Sequence, residues 1–183
     1  MLPVFLDTCV LLKSYLCDTL LSLAEAGVYR PLWSAMVMTE LERNLARRGL
    51  DEKQVAHRLD QMSRAFPDAA VTGYEAMIGD MANDPKDRHV LAAAVRGGAE
   101  VLVTENLRDF PPAAVRPYGI EVISQDTFLL DQFDLRPADV LGALRRQASR
   151  YRREPRNVAA LLTILGGPGS GCPDFAQACR RML

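Results

Sequence analysis

An α/β fold with a mainly parallel sheet is what this chain predicts, on three observations. Short apolar runs recur at Pro3–Leu6, Val101–Val103 and, interrupted by Glu121, at Ile120–Ile123, as expected of strands in a buried parallel sheet. Amphipathic segments of helical length separate them. Each run is followed at once by a small polar or acidic residue: Asp7, Thr104 or Ser124. In open parallel sheets, that carboxyl end is where ligands bind.

The elements follow in order. Pro3–Leu6 reads as a buried strand closed by Asp7. From Thr8 to Ala26, apolar residues at Val10, Leu11, Leu12, Tyr15, Leu16, Leu20, Leu21 and Leu23 predict one well-buried helix, ended by Gly27. Val28–Trp33 is a second strand, placed toward an edge because of Pro31. Ser34 is an N-cap for a helix over 35–48 with Gly49 beyond it. Leu50–Phe66 carries Val55, Leu59 and Met62 on one stripe, an amphipathic helix stopped by Pro67. A short strand over 69–72 and a short helix over 74–82 follow.

Asp84-Pro85 is a helix start with proline at the first helical position. The helix it opens runs to Arg96 and ends at Gly97-Gly98. Val101–Val103 and Ile120–Ile123 supply two more strands, and Ser124 caps another helix. Residues 1–134 form the α/β domain in this reading, and 135–183 a C-terminal helical extension. The extension comprises a basic helix over 137–153, a small apolar helix over 157–165, the turn GGPGSGCP and a last short helix.

Composition sets the class. At 183 residues with 49% hydrophobic and 25% charged content, this is an ordinary globular chain with a substantial core. No apolar stretch reaches the roughly 18–20 residues a membrane span needs. The N-terminus lacks a basic segment, so it reads as a strand of a cytoplasmic protein and not as a leader. Cys9, Cys17, Cys172 and Cys179 form no C-x-x-C pair, and with only His57 and His89 available they read as reduced thiols and not as a zinc site. The net charge of −1 is uninformative. Its distribution is not: seven arginines stand against two acids between Arg136 and Arg156, a solvated helix face or a surface for phosphates or an acidic partner.

Four acids carry the chemistry. Asp7, Glu40, Asp87 and Asp109 lie within or beside apolar runs, in LDTCVLL, SAMVMTELERNL, DPKDRHVLAAAV and VLVTENLRDFP. A buried carboxylate is costly without a cation, and there is no fixed Lys or Arg beside each one of the four. Oxygen ligands of this kind suit Mg²⁺ or Mn²⁺, and such an ion activates water against a phosphodiester. Singly, Asp87 reads as a helix-dipole partner, and Asp109 equally as a capping residue. Glu40 borders the apolar stripe of its helix, whereas Glu42 faces solvent. His89, two residues from Asp87, points elsewhere and reads as a core-edge residue; Trp33 reads as packing, Arg88 as a solvated charge. No phosphate-binding glycine loop and no Ser or Cys nucleophile with a histidine partner is present.

The set LDT (6–8), the Glu of VMTEL (37–41), DRHVLAAA (87–94) and VTENLRDF (103–110) resembles the PIN-domain nucleases, which include VapC-type toxins. The resemblance covers roughly residues 1–130. It implies an α/β/α sandwich in which Asp7, Glu40, Asp87 and Asp109 are the metal and catalytic acids, supported by Thr8, Thr104 and Asn106. It further implies Mg²⁺ or Mn²⁺ as cofactor, RNA as substrate, a small antitoxin as partner, and homodimers as a common state. Cys9 departs from the small polar residue usual after Asp-Thr, and Glu105 adds a fifth carboxylate, read as facing solvent. Two rivals remain open: a PIN-fold module without catalysis, and a nuclease directed at DNA.

Overall fold

A computed structural model describes the whole chain, Met1–Leu183. It contains two compact units. One comprises Leu2–Leu12 and Arg30–Ile123; the other comprises Met1, Lys13–Tyr29 and Ser124–Leu183.

The first unit is built on a five-stranded sheet: β1 (Pro3–Leu6), β2 (Arg30–Ser34), β3 (Ala70–Val71), β4 (Val101–Val103) and β5 (Glu121–Ile123). The order is β3-β2-β1-β4-β5 and every pairing is parallel. The fold class read from the apolar runs is the fold class observed. β1 and β4 lie centrally, and Val4, Phe5, Leu6, Leu102 and Val103 are fully or almost fully buried. Each such side chain contributes about 1.5–3 kcal/mol of hydrophobic stabilisation.

β2 is not the edge strand that Pro31 suggests, because β3 pairs outside it. The physical rule behind that expectation still operates locally. Arg30 N–H bonds Leu2 on the β1 side and Trp33 N–H bonds Ala69 on the β3 side, so Pro31 faces β3. β3 pairs only with Trp33 and Ser34, and the missing proline donor has no ladder partner to deprive.

The helices of this unit are α1 (Thr8–Leu11), α3 (Ala35–Arg47), α4 (Glu52–Ala65), α5 (Arg88–Arg96) and α6 (Pro112–Val115). Ser34 caps α3 as expected, its hydroxyl accepting from Val37 N at 3.2 Å. Asp51 and Gln54 form a capping box on α4, whose buried stripe is Val55 and Met62. Trp33 packs edge-to-face on Phe66 at 6.0 Å. Asp84 caps a 3-10 turn over Pro85–Asp87, accepting from Lys86 N at 3.1 Å. The α-helix proper starts one residue beyond Asp87.

The second unit holds α2 (Ser14–Glu25), α7 (Gln125–Leu135), α8 (Pro137–Arg150), α9 (Val158–Leu165) and α10 (Pro173–Arg180). The single helix expected over Thr8–Ala26 is therefore two, broken at Lys13, which is extended at φ −86°, ψ 110°. Gln147 links α8 to α2, accepting from Thr19 at 3.0 Å and donating to Tyr151 at 2.9 Å. Phe133 meets Phe175 edge-to-face, and the Asp126 carboxylate caps α10 through Asp174 N and Phe175 N. No helix is long and apolar enough to cross a membrane.

Candidate active site

All four predicted acids belong to the sheet unit, at the carboxyl ends of β1 and β4 and on the helices beside them. Asp7 closes β1, and its backbone N–H still belongs to the sheet, bonding Val103 at 3.1 Å. Its carboxylate is buried and fully engaged. Oδ1 accepts from Thr8 N at 2.7 Å; Oδ2 accepts from Thr104 Oγ1 at 2.7 Å and from Cys9 Sγ at 3.3 Å. Burial pushes this carboxyl above its usual range, against the opposing pull of those three donors.

Thr104, wholly buried, ties the second strand end to the first. Its hydroxyl donates to Asp7 and accepts from Asn106 N at 3.0 Å. Asn106 thereby anchors the turn to Asp109, closed by Asp109 N donating to Asn106 O at 2.9 Å. The departure at Cys9 has a structural use. Its sulfur accepts from Glu105 N at 3.3 Å while donating to Asp7, so one thiol braces both strand ends. Burial and the Asp7 charge push that thiol up to about 12.

Glu40 is half-exposed on α3 and is held from two sides. Thr8 Oγ1 donates to Oε2 at 2.9 Å, and His89 Nε2 lies 3.0 Å from Oε1. His89 makes this ion-pair contact outside the geometry of an aligned hydrogen bond, and its Nδ1 has no partner. Together His89 and Thr8 hold the Glu40 carboxyl below its usual range. The sequence reading of His89 as a residue pointing away from the site is thus corrected. It points away from Asp87, but α3 lies on that side and brings Glu40 to meet it.

Asp87 and Asp109 form the remaining pair, brought together by Asp84 N donating to Asp109 O at 3.0 Å. Asp87 Oδ2 is buried without a hydrogen-bond partner. Burial, contact with Asp109 and the charge of Asp7 push its carboxyl up to about 7. Asp109 goes the other way, lowered chiefly by Lys86, whose Nζ stands 3.1 Å from Oδ2. Lys86 was not legible as a site residue. The same Nζ is 4.0 Å from Asp87 Oδ2. Arg88 turns to the backbone, its Nε donating to Asn83 O. A cavity of about 510 Å³ opens beside Asp109, lined by Glu105, Asn106, Leu107 and Arg108.

The profile of the PIN domain matches residues 3–108, more than half of the chain. The chain belongs to the PIN-domain family. Residues 125–181 match a second profile, the VapC50 C-terminal domain. The chain is also 44% identical over 111 residues to a protein of Mycobacterium tuberculosis (strain ATCC 25618 / H37Rv) named "Putative ribonuclease VapC50". That match covers 61% of this chain and 64% of the relative, so the chain spans somewhat under two thirds of it. No solved structure matches.

As a PIN domain, the chain would use these acids for a divalent ion, and their chemistry fits one. The buried, unpartnered oxygen of Asp87 and the mutual crowding of Asp7, Asp87 and Asp109 call for a cation. Hard carboxylate oxygens suit Mg²⁺ or Mn²⁺. The arrangement is not a closed cage: no three His, Cys, Asp or Glu side chains are grouped closely enough to hold an ion as they stand. Hydrogen bonds satisfy Asp7, His89 engages Glu40, and Lys86 draws Asp109 to itself.

Proposed function

We propose that this PIN-domain protein is a metal-dependent endoribonuclease that cleaves RNA phosphodiesters, the toxin of a VapBC-type toxin–antitoxin pair. The observation that carries the reading is the convergence of Asp7 and Asp87 on one end of the sheet, where burial, contact with Asp109 and the charge of Asp7 push the Asp87 carboxyl up to about 7. The identity with a relative named as a ribonuclease supports it.

In this reading Asp7, Asp87, Asp109 and Glu40 hold Mg²⁺ or Mn²⁺. When bound, the ion lowers the pKa of a water and neutralises charge on the scissile phosphate. The protein's own contribution is placement. Thr104, Cys9 and the Thr8 N–H fix Asp7 to a single orientation. Thr8 and His89 keep Glu40 ionised and aimed, so that it accepts the proton of the attacking water. Thr104 and Asn106 hold the turn that presents Asp109. A small antitoxin and a second copy of the chain are the partners this family membership suggests, and the cytoplasm the location.

The test is a paired substrate assay. RNA and DNA oligonucleotides of one sequence are incubated with purified protein and Mn²⁺ or Mg²⁺. Preferential RNA cleavage is expected. Equal or greater cleavage of DNA would replace the ribonuclease by a DNA-directed enzyme. Metal binding without cleavage of either would favour a binding module.

A further inference from the structure

We propose that Lys86 is a tethered counter-ion of the acid pair, which competes with the divalent ion and sets the affinity of the site for it. The inference rests on the metal-dependent reading above. Lys86 Nζ lies 3.1 Å from Asp109 Oδ2 and 4.0 Å from Asp87 Oδ2. It is the cation within ion-pair distance of both acids. Asp87 Oδ2 has no hydrogen-bond partner besides this approach, so the ammonium is the compensation available to it.

Local structure puts Lys86 there. Asp84 accepts from Lys86 N at 3.1 Å, fixing the backbone of the Pro85–Asp87 turn, and Asp84 N bonds Asp109 O at 3.0 Å. The Lys86 backbone is thereby anchored to the segment that carries Asp109. Its side chain is not anchored: it is 66% exposed. A flexible, solvated chain on a fixed root is suited to leaving when a better cation arrives.

Occupancy by Lys86 also accounts for the open arrangement of the acids. Asp109 Oδ2 is turned to an ammonium, which makes hydrogen bonds near 3 Å, and a divalent ion needs carboxylate oxygens closer, at about 2.0–2.1 Å for Mg²⁺. Binding the ion requires the Lys86–Asp109 contact to break. An exposed ion pair is weak, so the barrier is modest and the effect on affinity is a tuning rather than a block.

The experiment titrates Mn²⁺ into metal-free protein by calorimetry for wild type, K86Q and K86R. Exposure of Lys86 leaves packing untouched in both variants. K86Q is expected to bind Mn²⁺ about two- to five-fold more tightly than wild type, while K86R, keeping the charge, stays close to wild type. Binding by wild type with K86Q equal or weaker would overturn the counter-ion role and leave the nuclease reading intact. Absence of Mn²⁺ binding by wild type and K86Q alike would overturn both.

Discussion

Metal-free protein should lose stability as pH rises from 5 to 8, and Asp87→Asn should remove much of that loss. Burial, with contact from Asp109 and the charge of Asp7, pushes the folded carboxyl of Asp87 up to about 7 against an ordinary 3.8. A carboxyl raised in the fold binds a proton that the unfolded chain has released, so the native state is favoured at low pH. That advantage fades as pH climbs through the folded value. Between pH 5 and the folded value the window takes in about two pH units of that rise, at face value about 3 kcal/mol. Asp87 is only partly shielded from water, and screening reduces this to about 1–2 kcal/mol. In EDTA, wild type should therefore melt about 3–6 °C lower at pH 8 than at pH 5 on account of this residue. Asp7, raised in the same direction, adds to the slope. Glu40 and Asp109 are lowered, and their contributions fall below pH 5, outside the window. Asp87→Asn should raise the melting temperature at pH 8 and flatten the profile. A wild-type melting temperature that is constant or rises from pH 5 to 8 would refute the crowding argument.

Thr104→Val removes the 2.7 Å bond to the buried Asp7 carboxylate; a loss of about 1–3 kcal/mol in urea unfolding is expected, and unchanged stability would show that the bond does not hold Asp7. His89→Ala should let the Glu40 carboxyl rise, moving the acid limb of the cleavage pH profile upward; an unmoved limb would show that His89 does not act through Glu40. Cys9, pushed from 9.0 to about 12, should alkylate at pH 8 roughly a thousand-fold more slowly than an unperturbed thiol, measured by mass spectrometry against the unfolded chain. Rates equal to those of the unfolded chain would contradict the brace between the strand ends.

What was legible in the sequence was local. Continuous apolar runs gave β1 and β4, Ser34 announced α3, and an acid closing a buried strand singled out Asp7. Each of these signals is complete within a few residues. The failures are tertiary. Apolar periodicity continues through Lys13, so nothing in the pattern announces that Thr8–Leu11 and Ser14–Glu25 fall into different compact units. The two-residue spacing from Asp87 to His89 says where His89 does not point; only the packing of α3 shows that Glu40 waits there. Pro31 signals a missing donor, but whether that makes an edge depends on how short β3 is. Nothing in the sequence marks Lys86, because its partner, Asp109, is brought to it by a backbone bond between distant segments. Asp7 stands out in the sequence because an acid closing a buried strand is anomalous wherever it occurs, whereas the groups that orient it, Thr104 and Cys9, are ordinary residues until the chain folds.

The most direct measurement of the central claim is RNA cleavage by purified protein in Mn²⁺ or Mg²⁺ and in EDTA, beside Asp7→Asn. The account predicts cleavage that requires the metal and is lost in the variant, whose hydrogen-bonding shape at Thr8 and Thr104 is nearly preserved while its charge is gone. Cleavage that persists in EDTA, or that Asp7→Asn leaves unchanged, would contradict it.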